Sequence, residues 1–402
     1  MRRTLTITAI ALVLVGAGVA AYFYFFAPSA TVSTTPGATL PVAGQQPVTD
    51  MPGVGGKYAE PGAGTGAPIA VTQRLVQISA GPVVPGEAVV NLKAVNTSST
   101  PEVAVTYVER VSGNVFTYLV KANTLTRVNN KTIPGIQSAS WLPNGSLAYV
   151  RYLSGDNFST INTYALMATS STGFFLPQNI SDLAVSAAGI LTLASGVNGS
   201  SVSLARTDGS RSVILFTTPL SSLRVSFAGK NQYLIFSKPS ETLGGAAFLT
   251  DGSGRLTRIA GPLPGLVALA SPSGKWVLVS YTRNGAMGME VVNTATGVAF
   301  PIPVATIADK CVWTSDDSVI YCGIPMNPDA SHRYPDDWYQ GAAPFSDRIW
   351  KIDVAGRYAQ LTLDFSQANR GNLDAEALAI DPSRTVLVFV NKNDGSLWSY
   401  SL

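Results

Sequence analysis

Ser271-Pro272-Ser273-Gly274-Lys275-Trp276-Val277-Leu278-Val279-Ser280-Tyr281 reads as a tight turn feeding a strand. Pro, Ser and Gly supply turn conformations, and the alternating β-branched and aromatic run that follows is hairpin chemistry. Similar text returns at residues 140–150 (Ser-Trp-Leu-Pro-Asn-Gly-Ser-Leu-Ala-Tyr-Val), at 313–321 (Trp-Thr-Ser-Asp-Asp-Ser-Val-Ile-Tyr) and at 380–389 (Ile-Asp-Pro-Ser-Arg-Thr-Val-Leu-Val-Phe). Each copy heads a self-similar unit of roughly 40 residues, the period of a four-stranded propeller blade.

Outward from these turns, a third and a fourth strand follow, joined by polar residues: 115–120 then 124–128, 202–206 then 212–216, 246–250 then 255–259, 289–293 then 298–302, and 348–353 then 358–363. Six complete units result, near 81–130, 135–178, 179–218, 219–262, 264–304 and 305–363. The seventh, over 375–402, carries only three strands. Its missing outer strand matches Arg74-Leu75-Val76-Gln77-Ile78, whose text resembles Thr124-Leu125-Thr126-Arg127-Val128 and Arg255-Leu256-Thr257-Arg258-Ile259. The expected fold is therefore all-β: a seven-bladed β-propeller over 71–402, with its first strand closing the last blade and removing exposed sheet edges.

The chain as a whole agrees with that class. Of 402 residues, 46% are apolar and only 13% charged, with 37 Gly and 25 Pro, which suits many turns between short strands and excludes a helical bundle. Twenty-seven Lys and Arg against 24 Asp and Glu leave a net charge of +3, and no basic run lies beyond Arg2 and Arg3, so nucleic acid is not expected as a partner. One His and two Cys cannot build a His/Cys zinc site unaided, and no cofactor or metal is expected.

Ahead of the repeats, residues 4–26 form an uncharged apolar run. At about 1.5 Å per residue it spans roughly 34 Å, enough for a hydrocarbon core of about 30 Å. Arg2 and Arg3 precede it, and Tyr22 to Phe26 sit where an interfacial aromatic belt belongs, so residues 1–26 read as a cytoplasmic stub and membrane anchor, with the rest outside the cytoplasm. A cleaved secretory signal is the competing interpretation, against which stand the length of the run and the poor cleavage text at 27–30. Residues 27–70 hold seven Pro, eight Gly and three charges without apolar periodicity, and are expected to be a disordered linker.

The turn text resembles the TolB-type and WD40-like (PD40) propeller repeats, most closely at Ser271 to Tyr281. The whole chain also looks like single-anchor propeller proteins of small-genome candidate-phylum bacteria, which share the Cys311-Val312-Trp313, Tyr321-Cys322 and Pro335-Asp336-Asp337-Trp338-Tyr339-Gln340-Gly341 texts. That resemblance implies an extracytoplasmic propeller and no particular reaction.

Two features carry candidate chemistry. Cys311 and Cys322 flank Asp316 and Asp317; a two-residue hairpin there sets them opposite each other, and an exported domain permits a disulfide, the alternative being two inert buried thiols. Residues 325–347 interrupt blade six between its second and third strands with His332, Arg333, Tyr334, Asp336, Asp337, Trp338 and Tyr339. The connection at 364–373, with Arg370, is expected beside it on the same face. Long loops in compact domains are functional or capping, so these residues are candidate partner-binding groups, with Trp338, Tyr339, Arg333 and Arg370 as anchors for a protein or glycan, or else a cap over the blade edge. No catalytic residue is assigned, since no Gly-x-Ser-x-Gly elbow accompanies His332. The rival expectation is an envelope glycan hydrolase or lyase using Asp329, Asp336, Asp337 or Asp347.

Overall fold

The computed structural model describes residues 74–93, 101–368 and 371–402. The expected anchor, the expected linker and Arg370 lie outside the described residues. Within them are seven four-stranded antiparallel sheets. The first strands of blades one to seven are Ala88–Leu92, Ile136–Trp141, Ile180–Ser186, Leu223–Phe227, Val267–Ala270, Cys311–Trp313 and Ala375–Ile380. Each is an edge of its sheet, and first strands of neighbouring blades approach one another, so they line the axis of a ring.

Blade seven closes the ring as the repeat arithmetic requires. Leu75–Gln77 pairs antiparallel with Leu397–Ser401, in the register Leu75 to Tyr400 and Gln77 to Trp398. Backbone bonds extend the seam on both sides, from Ile78 N–H to Leu397 C=O at 2.8 Å and from Ser401 N–H to Arg74 C=O at 2.9 Å.

Burial explains why the second strands are the most legible text. Val319–Pro325 and Val386–Asn391 are buried at every position, because each lies mid-sheet between two neighbouring blades. Such strands read as continuous apolar runs. The outermost strands bear polar text, as in Thr124–Asn129, where only the last residue is buried.

The turn motif also has a use beyond turning the chain. Gly274 sits at φ +78, and a Cβ there would meet Ala228 O at 2.3 Å, so the residue is glycine for both conformation and space. Asp317 of blade six accepts hydrogen bonds from Ser271 Oγ (2.9 Å) and Ser273 N–H (3.1 Å) of blade five, while Arg384 of blade seven pairs with Asp316 at 2.5 Å. The Ser, Asp and Arg of these turns lash blade to blade. One detail departs from the expected hairpin. Thr314 and Val319 close the turn through Thr314 N–H to Val319 C=O (2.9 Å), leaving four residues, 315–318, in the loop rather than two. The pairing sum is unchanged, so Cys311 still faces Cys322 in register, and their sulfurs are joined.

Candidate functional site

The insertion begins and ends at one ladder position, Pro325 opposite Asp347. Between them the chain leaves the sheet and crosses its neighbours. Asp329 accepts from Ser331 N–H (2.8 Å) in an Asx turn, and a single helical turn, Asp336–Tyr339, follows. Four contacts outside the insertion fix this path. Thr282 Oγ1 of blade five donates to Tyr334 C=O at 2.7 Å, and Glu241 N–H of blade four donates to Asp336 at 3.2 Å. Tyr339 OH donates to Asp309 at 2.7 Å, and the same carboxylate oxygen pairs with Arg224 of blade four at 2.7 Å. Trp338 Nε1 donates to Asp374, beside blade seven, at 3.0 Å.

Beneath this strap lies a charge cluster sealed from water. Lys310, Asp347 and Asp374 are each at most 1% exposed. The Lys310 ammonium pairs with Asp347 at 2.8 Å, with Asp374, and with Ala375 C=O at 2.9 Å. It also stands 5.0 Å from the Trp338 ring centroid and 5.1 Å from that of Phe345, so two aromatic faces complete its shell. Burial works against the charge on Lys310, but the two carboxylates overrule it and hold its pKa up. Burial and the like charge of Asp374 act together against Lys310 on Asp347, whose pKa is pushed up to about 6. Its Oδ1 has no hydrogen-bond partner.

The structure divides the sequence-expected residues into two groups. Tyr334 and Trp338 are each 3% exposed and face inward, which corrects the expectation that Trp338 anchors a partner. The indole is committed to Asp374 and Phe345, and it caps the cluster. Asp347 is likewise not a surface acid. Outward lie Arg333 and Tyr339, the latter 37% exposed, with His332, Asp336 and Asp337 half-buried beside them. Asp337 accepts from Arg333 N–H at 2.8 Å and lies 3.2 Å from His332 Nδ1; the N–H of Arg333, then His332, hold its pKa below the usual carboxylate range.

The connection after blade six does meet the insertion. Asp347 N–H donates to Leu373 C=O at 2.9 Å, and Asn393 Nδ2 bridges Phe345 C=O (3.3 Å) and Asn372 C=O (3.0 Å).

Lys310, Asp374, Asp309 and Arg224 were not singled out from sequence. A signal existed: Lys310 and Asp374, like Glu87, stand one residue before the first strand of a blade, a recurrent position in a chain poor in charge. First strands and first-to-second-strand turns together line a cavity of about 350 Å³, with Glu87, Trp141, Trp313 and Ile380 among its walls. Both carboxylate oxygens of Glu87 are buried without partners, and burial, then Glu376, keeps its pKa well above the ordinary value.

No protein-family model matches the chain, and no curated protein matches it. Solved structures do. An oligogalacturonate lyase in complex with manganese aligns at 7% identity over 81% of this chain and 98% of that chain, with a TM-score of 0.51. An oligogalacturonate lyase from Vibrio parahaemolyticus aligns at 7% identity over 83% and 94%, with a TM-score of 0.54. The β-propeller domain of the trilobed protease from Pyrococcus furiosus aligns at 9% identity over 79% and 95%, with a TM-score of 0.49. At such identities the likeness to the two lyases is one of fold, and the described residues form a seven-bladed β-propeller.

Proposed function

We propose that the chain is a membrane-tethered propeller, built on TolB-type repeats, that works outside the cytoplasm as a binding or scaffolding module for a protein or glycan of the cell envelope. The observation that supports this most is the bracing of the insertion by blades four, five and seven. Such bracing presets the outward groups Arg333 and Tyr339, so little ordering entropy opposes capture of a partner. Full-length protein used for affinity capture from native membranes tests it. Arg333→Glu with Tyr339→Ala is expected to reduce capture about tenfold, a typical cost for losing an aromatic and an arginine contact, with the unfolding temperature lowered only slightly, by loss of the exposed Tyr339–Asp309 bond. Trp338→Ala is instead expected to lower the unfolding temperature, since it opens the buried cluster. Undiminished capture by the double variant would remove the insertion as the binding surface.

A glycan hydrolase or lyase is the second reading, favoured by the names of the two lyase structures. In this chain the insertion's carboxylates are committed: Asp336 to Glu241 N–H, Asp337 to Arg333 N–H, Asp329 to Ser331 N–H and Asp347 to Lys310. Unaltered turnover of an envelope glycan by Asp336→Asn and Asp337→Asn would exclude both as its catalytic acids.

A further inference from the structure

The second-to-third-strand loops of blades one to four each end in an exposed apolar side chain. Val111 lies between Glu102–Val108 and Val115–Leu119, and Phe158 between Leu147–Ser154 and Thr160–Met167. Val197 lies between Gly189–Gly196 and Gly199–Ala205, and Leu243 between Tyr233–Ser237 and Gly244–Thr250. Their exposures are 77%, 71%, 103% and 70%; among the described residues no other large apolar side chain exceeds 62%. Propeller topology puts all four loops on the face that carries the insertion, in consecutive blades. Phe158 is held out at φ +53, a conformation costly for a bulky residue, so its exposure is not a relaxed default.

We infer that this arc of four loop tips rests on a lipid surface, dipping into the headgroup and acyl boundary of the bilayer to which the chain is tethered. Two observations choose lipid over a protein partner. The apolar groups are separate points at hairpin ends, one on each of four blades, which suits insertion into a fluid surface more than a packed protein contact. The chain also carries an apolar run long enough to span a bilayer, ending 47 residues before Gln73 is passed and the described domain begins. The inference thus rests on residues 4–26 being an anchor. Charges in the loops nearly cancel, with Glu109, Asp156 and Glu241 against Arg110 and Lys238, so neutral lipid suffices and salt should matter little.

The test uses the full chain reconstituted into phosphatidylcholine vesicles, with one cysteine added beside a tip, Asn198→Cys or Thr242→Cys, and labelled with a fluorophore. Lys230→Cys, in a turn on the opposite face, is the control. Spin-labelled phosphatidylcholine is expected to quench the first two and not the third, at low and high salt alike. Quenching should be lost when Val111, Phe158, Val197 and Leu243 are all changed to Ser, exposed substitutions that leave the core intact. Floating vesicles with unquenched tips would overturn the inference while leaving the anchor standing. Failure of the chain to float would overturn both. Equal quenching at Lys230→Cys, or tips shielded from aqueous iodide without lipid quenching, would mean non-specific contact or cover by a protein, and would overturn it as well.

Discussion

A lysine ammonium removed from water needs its charge matched at close range, and Lys310 is matched twice, by Asp347 and Asp374. The surplus negative charge is what pushes Asp347 up and leaves its Oδ1 unpartnered. Removing the cation alone strands two carboxylates in a dry site, so Lys310→Met should cost about 3–5 kcal/mol by urea denaturation. Adding Asp347→Asn and Asp374→Asn to that variant should recover part of the loss; a single variant as stable as the parent would show that water reaches the cluster. Residue orientation within the insertion was not legible in sequence. Whether Trp338 or Tyr339 faces outward depends on Lys310 and Asp374, which belong to chain segments 28 or more residues away and arrive beneath the helix through the packing of blade six against blade seven.

Hairpins carry the fold at the scale of elements, and their turns were readable because Pro, Asn, Asp and Gly have local reasons to sit there. Second strands were readable because burial on both sides removes polar alternation. The extra width of the 315–318 loop was not, since a hairpin of either length keeps Cys311 opposite Cys322. Mass spectrometry after unreduced denaturation and alkylation should find no free thiol. Reduction should lower stability by about 3 kcal/mol, the chain-entropy value for a closed loop of this size. Two alkylated cysteines without reductant would contradict the bond.

The whole molecule has a pH dependence with a definite sign. Glu87, Glu376 and Asp347 all have raised pKa values, each with burial as the leading cause, so the folded state binds their protons more tightly than the unfolded chain does. Their stabilising contribution is present at low pH and is lost as pH rises through the folded values, for Asp347 near 6. Asp329, Asp337 and Asp364 are shifted the other way by hydrogen bonds, and their smaller, solvent-screened contributions fade as pH falls below about 4. The unfolding temperature should therefore climb from about pH 7.5 to about pH 5 and drop below about pH 4; a flat or falling profile between the first two values would contradict the burial of these acids. The seven-fold count and the seam were legible from repeat text alone. The strap across blades four to seven was not, because it follows no repeat.

That seam joins two strands more than 300 residues apart, so neither can seal the circle alone. The strand Leu397–Ser401 must emerge from the ribosome before Leu75–Gln77 has anything to dock on, so six sheets can assemble early while the circle stays unsealed until Ser401 has been made. Until then the nascent propeller is an open arc, and a protease that removed either strand of the seam would return it to that state.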